Sequence, residues 1–236
     1  MRLTALLLLF FTFSANASLK IAVASNFRVT LSEIVALYKQ QSEQKILISS
    51  GSTGILYNQI THGAPFDLFL SADSERAKLI ELSKLGVDGS RFTYAQGQLA
   101  FWYPRSSEAV NQKQLHNFKG RVAIANPKLA PYGLATKQSL QTLKKWSQLS
   151  FIKGNNVTQA YQFVDTGNVK AGFVAYALIV QNRESNFYLL PTDSYQPILQ
   201  QGVMLSGSTN SAELQKFVKF LQSDSIQSLI RSRGYL

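Results

Sequence analysis

Apolar positions along this chain alternate between two spacings. Short continuous apolar runs end at small polar residues, and stretches with apolar residues three and four apart follow them. The runs read as strands over 19–24, 45–49, 67–70 and 98–103, the last stopped by Pro104. Between them, Leu31, Ile34, Val35 and Tyr38 recur at i, i+3, i+4 and i+7, one face of a helix. A short helix is predicted over 55–60, and another over 77–85 with Gly86 as its stop. A second set follows, with strands over 121–125, 171–174, 187–190 and 198–205 and helices over 134–146 and 157–164. The chain closes with a helix presenting Leu214, Phe217, Val218 and Leu221, then a short one over 226–230. Strand and helix alternate, so the expected fold class is α/β.

Three strand-to-helix junctions share one design. AVASNF ends at Ser25 and Asn26, ILISSGSTG at Ser52, Thr53 and Gly54, and the ANP…APYG stretch at Pro131, Tyr132 and Gly133. GNNV, residues 154–157, has the same form. A helix N-terminus carries unpaired backbone N–H groups and the positive end of a dipole, which suits an anion. Open α/β sheets bind ligands beyond the carboxyl ends of their strands, where all four junctions fall. Residues 49–54 and 129–136 contain no Asp, Glu, Lys or Arg. Neutral donors suit a fully ionised tetrahedral oxyanion, whereas phosphate near neutral pH keeps a proton and wants an acceptor. Taken singly, each junction reads as well as a plain helix cap or a flexible turn. Arg28 and Lys153 flank two of the junctions and read as solvated surface residues or as cations facing a ligand.

The first residues, MRLTALLLLFFTFSANA, place one Arg before an apolar stretch and a small-residue Ala-Asn-Ala pattern. That is a secretory signal peptide, residues 1–17, cut after Ala17 and too short to span a bilayer. There is no cysteine, hence no disulfide framework or thiol chemistry. The net charge of +11 fits steering of an anion as well as mere solubility. The Lys and Arg residues are dispersed, with no basic stripe among aromatics, so no nucleic-acid partner is expected. Enzymatic readings lack parts. A serine nucleophile in residues 49–54 needs a base, and neither His62 nor His116 sits at a convincing strand end. The loop has neither the lysine of a P-loop nor the G-x-S-x-G spacing of a hydrolase elbow. No cluster has metal-ligand spacing. An exported hydrolase built on that loop stays the weaker alternative.

The stretches KIAVASNF, ISSGSTG, GAPFDLFLSAD, SRFTYAQGQLAFW, AIANPKLAPYGLA and AGFVA together resemble the periplasmic molybdate-binding proteins. These are the ligand-capturing subunits of molybdate ABC transporters. The resemblance implies a type II periplasmic binding protein fold, two α/β lobes with two chain crossings. The first lobe would be 18–102 plus 198–236 and the second 103–197. It implies that Ser25 and Thr53 bind the oxyanion through their side chains, that Asn26 adds a donor, and that Tyr132 and Val157 give backbone N–H groups. Ser52 is a weaker candidate. Another branch of the family carries a ligand-binding Tyr after its G-[IF]-V run, where this chain has Ala175 with Tyr176 one residue later. A slip of one residue reverses the face, so Tyr176 is not expected to replace that contact. The resemblance further implies molybdate as ligand, tungstate beside it, membrane transporter subunits as partners, no cofactor and no enzymatic activity, with another oxyanion or a small organic anion as the alternative ligand. A monomer is expected. Protein recovered from the cell envelope is expected to begin at Ser18, which intact-mass measurement checks.

Overall fold

The computed structural model describes residues 18–236; the predicted signal peptide, residues 1–17, lies outside them. β1 (Leu19–Ala24) is buried on both faces, which is why it reads as a continuous apolar run. A 3-10 turn (Ser25–Phe27) leads into α1 (Arg28–Tyr38), then β2 (Ile46–Gly51), α2 (Thr53–Thr61), β3 (Leu68–Ser71), α3 (Ser74–Leu82) and β4 (Phe92–Gly97). β5 (Leu99–Trp102), α4 (Gln112–Asn117), β6 (Gly120–Ala125), α5 (Pro131–Thr142), β7 (Leu149–Gly154), α6 (Val157–Asp165), β8 (Ala171–Ala175), α7 (Tyr176–Asn182) and β9 (Phe187–Leu189) follow. β10 (Ile198–Met204), α8 (Ser211–Leu221) and α9 (Asp224–Ser232) end the chain.

These strands make two five-stranded sheets of the same plan, β2-β1-β3-β10-β4 and β7-β6-β8-β5-β9. In each, three parallel strands meet a fourth that runs antiparallel to both its neighbours. The expected two-lobed α/β fold is the one observed. The chain passes between sheets twice, at Gln98 and again between β9 and β10. The first passage differs from the predicted boundary at residue 102. Leu99 pairs with Ala175 and Trp102 with Gly172, so β5 belongs to the second lobe. An apolar run buried on both faces carries no mark of which sheet it joins.

Two other boundaries move for local reasons. The helix predicted over 134–146 starts at Pro131, whose fixed φ suits the first helical position, and stops at Thr142 ahead of Lys144 at φ +54°. β4, β7, α4 and α7 escape the pattern because they are short or mix polar with apolar residues.

The first lobe has an apolar cluster on each face of its sheet. Ile21 and Val23 pack with Leu31, Ile34, Phe217 and Leu221 on one side, and Ala22, Phe69 and Val203 with Leu56, Ile60 and Ile80 on the other. The second lobe centres on Phe101, Val122, Ile124 and Phe173. α7 ties the two lobes: Ala177 joins a first-lobe cluster, and Gln181 Nε2 donates to Thr30 Oγ1 at 2.9 Å. Phe217 is fully buried with its ring edge-on to Tyr38 at 5.2 Å. Phe217→Ala is expected to cost about 3–5 kcal/mol, measured as a lower urea midpoint at unchanged slope.

Candidate functional site

All six residues singled out in the sequence, Ser25, Asn26, Ser52, Thr53, Tyr132 and Val157, line one cavity between the lobes. Its free volume is about 10 Å³, about what the centre of one water-sized sphere needs. Among the described residues, no Asp, Glu, Lys or Arg lines it. Tyr176 does not line it; its ring packs 5.3 Å from Phe187 instead. Among the described residues, no group of His, Cys, Asp and Glu could hold a metal ion.

Four helix starts converge there. Ser52 caps α2, its Oγ accepting from the Ile55 N–H at 3.3 Å. Thr53 is the first residue of that helix, and its Oγ1 accepts from the Ala72 N–H at 3.0 Å. A hydroxyl that accepts this way keeps its proton to donate elsewhere. Pro131 opens α5, so the Tyr132 N–H in the first turn has no intrahelical acceptor. Asn156 caps α6 by accepting from the Gln159 N–H at 2.9 Å, and Val157 is the first helical residue. Ser25 opens the 3-10 turn, where no side-chain cap forms, so the plain-cap reading does not hold for it. The positive ends of these helices replace charged side chains as the attraction for an anion.

Asn26 departs from the expected donor role. Its Nδ2 donates to Gln200 Oε1 at 2.9 Å and to Tyr235 Oη at 3.4 Å, so the amide is engaged within the protein. The Tyr235 O–H donates back to the Asn26 carbonyl at 2.8 Å. Gln200 is fully buried at a β-bulge in β10 and is the centre of this network. Its Oε1 also accepts from the Tyr94 O–H at 3.1 Å, and its Nε2 donates to Tyr132 Oη at 3.3 Å. One side chain therefore joins the first lobe's Asn26 to the second lobe's Tyr132. Gly97 leaves room for this, since a Cβ there would stand 2.1 Å from Tyr132 Oη. Tyr235 is pinned because Leu236 and Gln96 exchange backbone hydrogen bonds at 2.9 and 3.0 Å. Gln200, Tyr94 and Tyr235 carry no sequence signal; they lie far along the chain from the junctions they support.

A polar groove of about 290 Å³ adjoins the cavity and shares Ser25 and Asn156 with it. Among the described residues, Arg28 is the one charged residue on its walls, whereas Lys153 lies on neither. His62 and His116 line neither space.

Burial pushes the phenols of Tyr94, Tyr132 and Tyr235 above their ordinary range, and the neighbouring tyrosines add to the shift for Tyr94 and Tyr132. The folded protein then holds these protons above pH 10, where the unfolded chain releases them. Stability from this source is complete below pH 10 and falls as pH rises beyond it. Absorbance at 295 nm is expected to show these phenols titrating only with unfolding in strong alkali.

A small cavity of neutral donors between two lobes fits a binding protein for a small solute. A family model described as bacterial extracellular solute-binding protein matches residues 19–236, and the chain belongs to that family. It is 36% identical over 218 residues to the molybdate-binding protein ModA of Rhodobacter capsulatus, covering 91% of this chain and 86% of that one. It is 34% identical over 226 residues to ModA of Azotobacter vinelandii, covering 93% and 90%. The solved periplasmic molybdate-binding protein of Azotobacter vinelandii superposes with a TM-score of 0.87 at 32% identity, covering 93% of this chain and 99% of that one.

Proposed function

We propose that this protein captures molybdate outside the cytoplasm and delivers it to an ABC transporter in the membrane. The observation that carries the reading is the convergence of four uncharged helix starts on one small cavity. The similarity to two molybdate-binding relatives supports the choice of anion. Ser25 and Thr53 give hydroxyl donors, and Tyr132 and Val157 give backbone N–H groups. Ser52 acts mainly as the cap of α2, and Asn26 shapes the turn that holds Ser25. Tungstate, a tetrahedral dianion of the same kind, is a second ligand. The protein is exported by its cleavable signal peptide, works as a monomer in the periplasm, needs no cofactor and catalyses no reaction. Membrane subunits of the transporter are its partners; no helix among the described residues is long and apolar enough to cross a membrane.

Isothermal titration with molybdate, tungstate, sulfate and phosphate tests this. Tight binding of the first two and weak binding of phosphate is the expected result; absence of molybdate binding at micromolar levels overturns it. Ser25→Ala and Thr53→Ala are each expected to weaken binding by about 1.5–3 kcal/mol, the usual worth of a hydrogen bond to an ion.

A further inference from the structure

We propose that Gly54 and Arg76 of the first lobe form a clasp on the second lobe that sets the affinity for every anion without touching any of them. The proposal rests on the anion-binding reading above. The Gly54 N–H, in the first turn of α2, donates to the Leu129 carbonyl across the cleft at 2.8 Å. Arg76 Nη2 donates to the preceding carbonyl, that of Lys128, at 3.3 Å. Two donors of one lobe thus hold consecutive carbonyls of the other.

Both halves are held in place before they meet. Arg76 is ion-paired to Asp73, the cap of α3. The 126–130 loop is fixed by Asn126, whose carbonyl accepts from the Leu129 and Ala130 N–H groups at 3.0 and 2.9 Å, and whose Oδ1 accepts from the Lys128 N–H at 3.1 Å.

The glycine is explained by the approach alone. Gly54 is not among the residues with positive φ, so no unusual backbone conformation requires it. A Cβ there would stand 2.9 Å from the Leu129 oxygen and 3.2 Å from its Cα, both backbone atoms. Alanine is otherwise the better helix former.

The clasp is bound to the cavity by sequence. Gly54 follows Thr53, and Leu129 lies just before the Pro131–Tyr132 helix start, so a closing motion of the lobes on the anion would bring both together. A contact made only when the lobes are shut shifts the open-to-shut equilibrium by the same factor for every ligand. A residue touching the anion changes the ratio between anions instead.

The test uses the mature protein, with stopped-flow association and dissociation of molybdate and titrations of molybdate and tungstate. Gly54→Ala is expected to speed dissociation about tenfold, the upper range of one neutral hydrogen bond, and Arg76→Gln about threefold because Arg76 is part-exposed. The association rate and the molybdate-to-tungstate ratio stay as in the parent, and the melting temperature without anion does not fall. Unchanged dissociation in Arg76→Gln and in any Gly54→Ala that folds overturns the proposal, as does a changed ratio. Should Gly54→Ala fail to fold, Arg76→Gln decides alone. If the parent itself fails to bind molybdate, it is the functional reading that falls.

Discussion

Helix starts leave backbone N–H groups without intrahelical acceptors, and burying such groups is costly unless something accepts from them. This protein gathers four of these starts between two lobes. The caps Ser52 and Asn156 satisfy groups deeper in the first turns of α2 and α6, and the Gly54 N–H is met by the Leu129 carbonyl. The residues at the cavity wall are left facing a space of atomic size. An oxyanion accepts from all sides and brings no donor of its own, so it complements that surface. The same demand explains why the walls lack charge: a fixed cation would hold any anion, while oriented neutral donors favour one that is fully ionised.

Holding the four starts in register is the task of the fold. Each lobe aims two parallel strands, β1 and β2 or β6 and β7, at the cleft, and a helix or turn begins where each strand ends. The lobes are joined by chain passages at Gln98 and between β9 and β10, both near the buried amide of Gln200. That amide touches Asn26 of one lobe and Tyr132 of the other, so it links the turns on the two sides of the cavity. The phenols around it are neutral at ordinary pH and serve as donors and acceptors, and burial extends that range upward.

Strand-to-helix alternation, and with it the α/β class, was legible because runs such as β1 and β3 are buried on both faces and α1 and α8 present clean stripes. The junctions were legible because Ser, Thr, Asn, Pro and Gly gather where strands end and helices start, and the resemblance to the molybdate-binding proteins singled out Ser25, Thr53, Tyr132 and Val157 among them. Asn26 was read as a donor to the ligand, yet its amide serves Gln200 and Tyr235, partners 174 and 209 residues away. The assignment of β5 to the first lobe failed because strand pairing is a property of both partners.

The sequence by itself determined the local chemistry: which positions start helices, that those starts are uncharged, and that they lie at strand ends. Those features depend on residues within a turn of one another. Only the tertiary structure decided that Ser25, Thr53, Tyr132 and Val157 share one cavity, that Gln200 couples the lobes, and that Gly54 meets Leu129. These depend on contacts between distant segments, and such contacts follow from strand order and lobe packing, which no local pattern encodes.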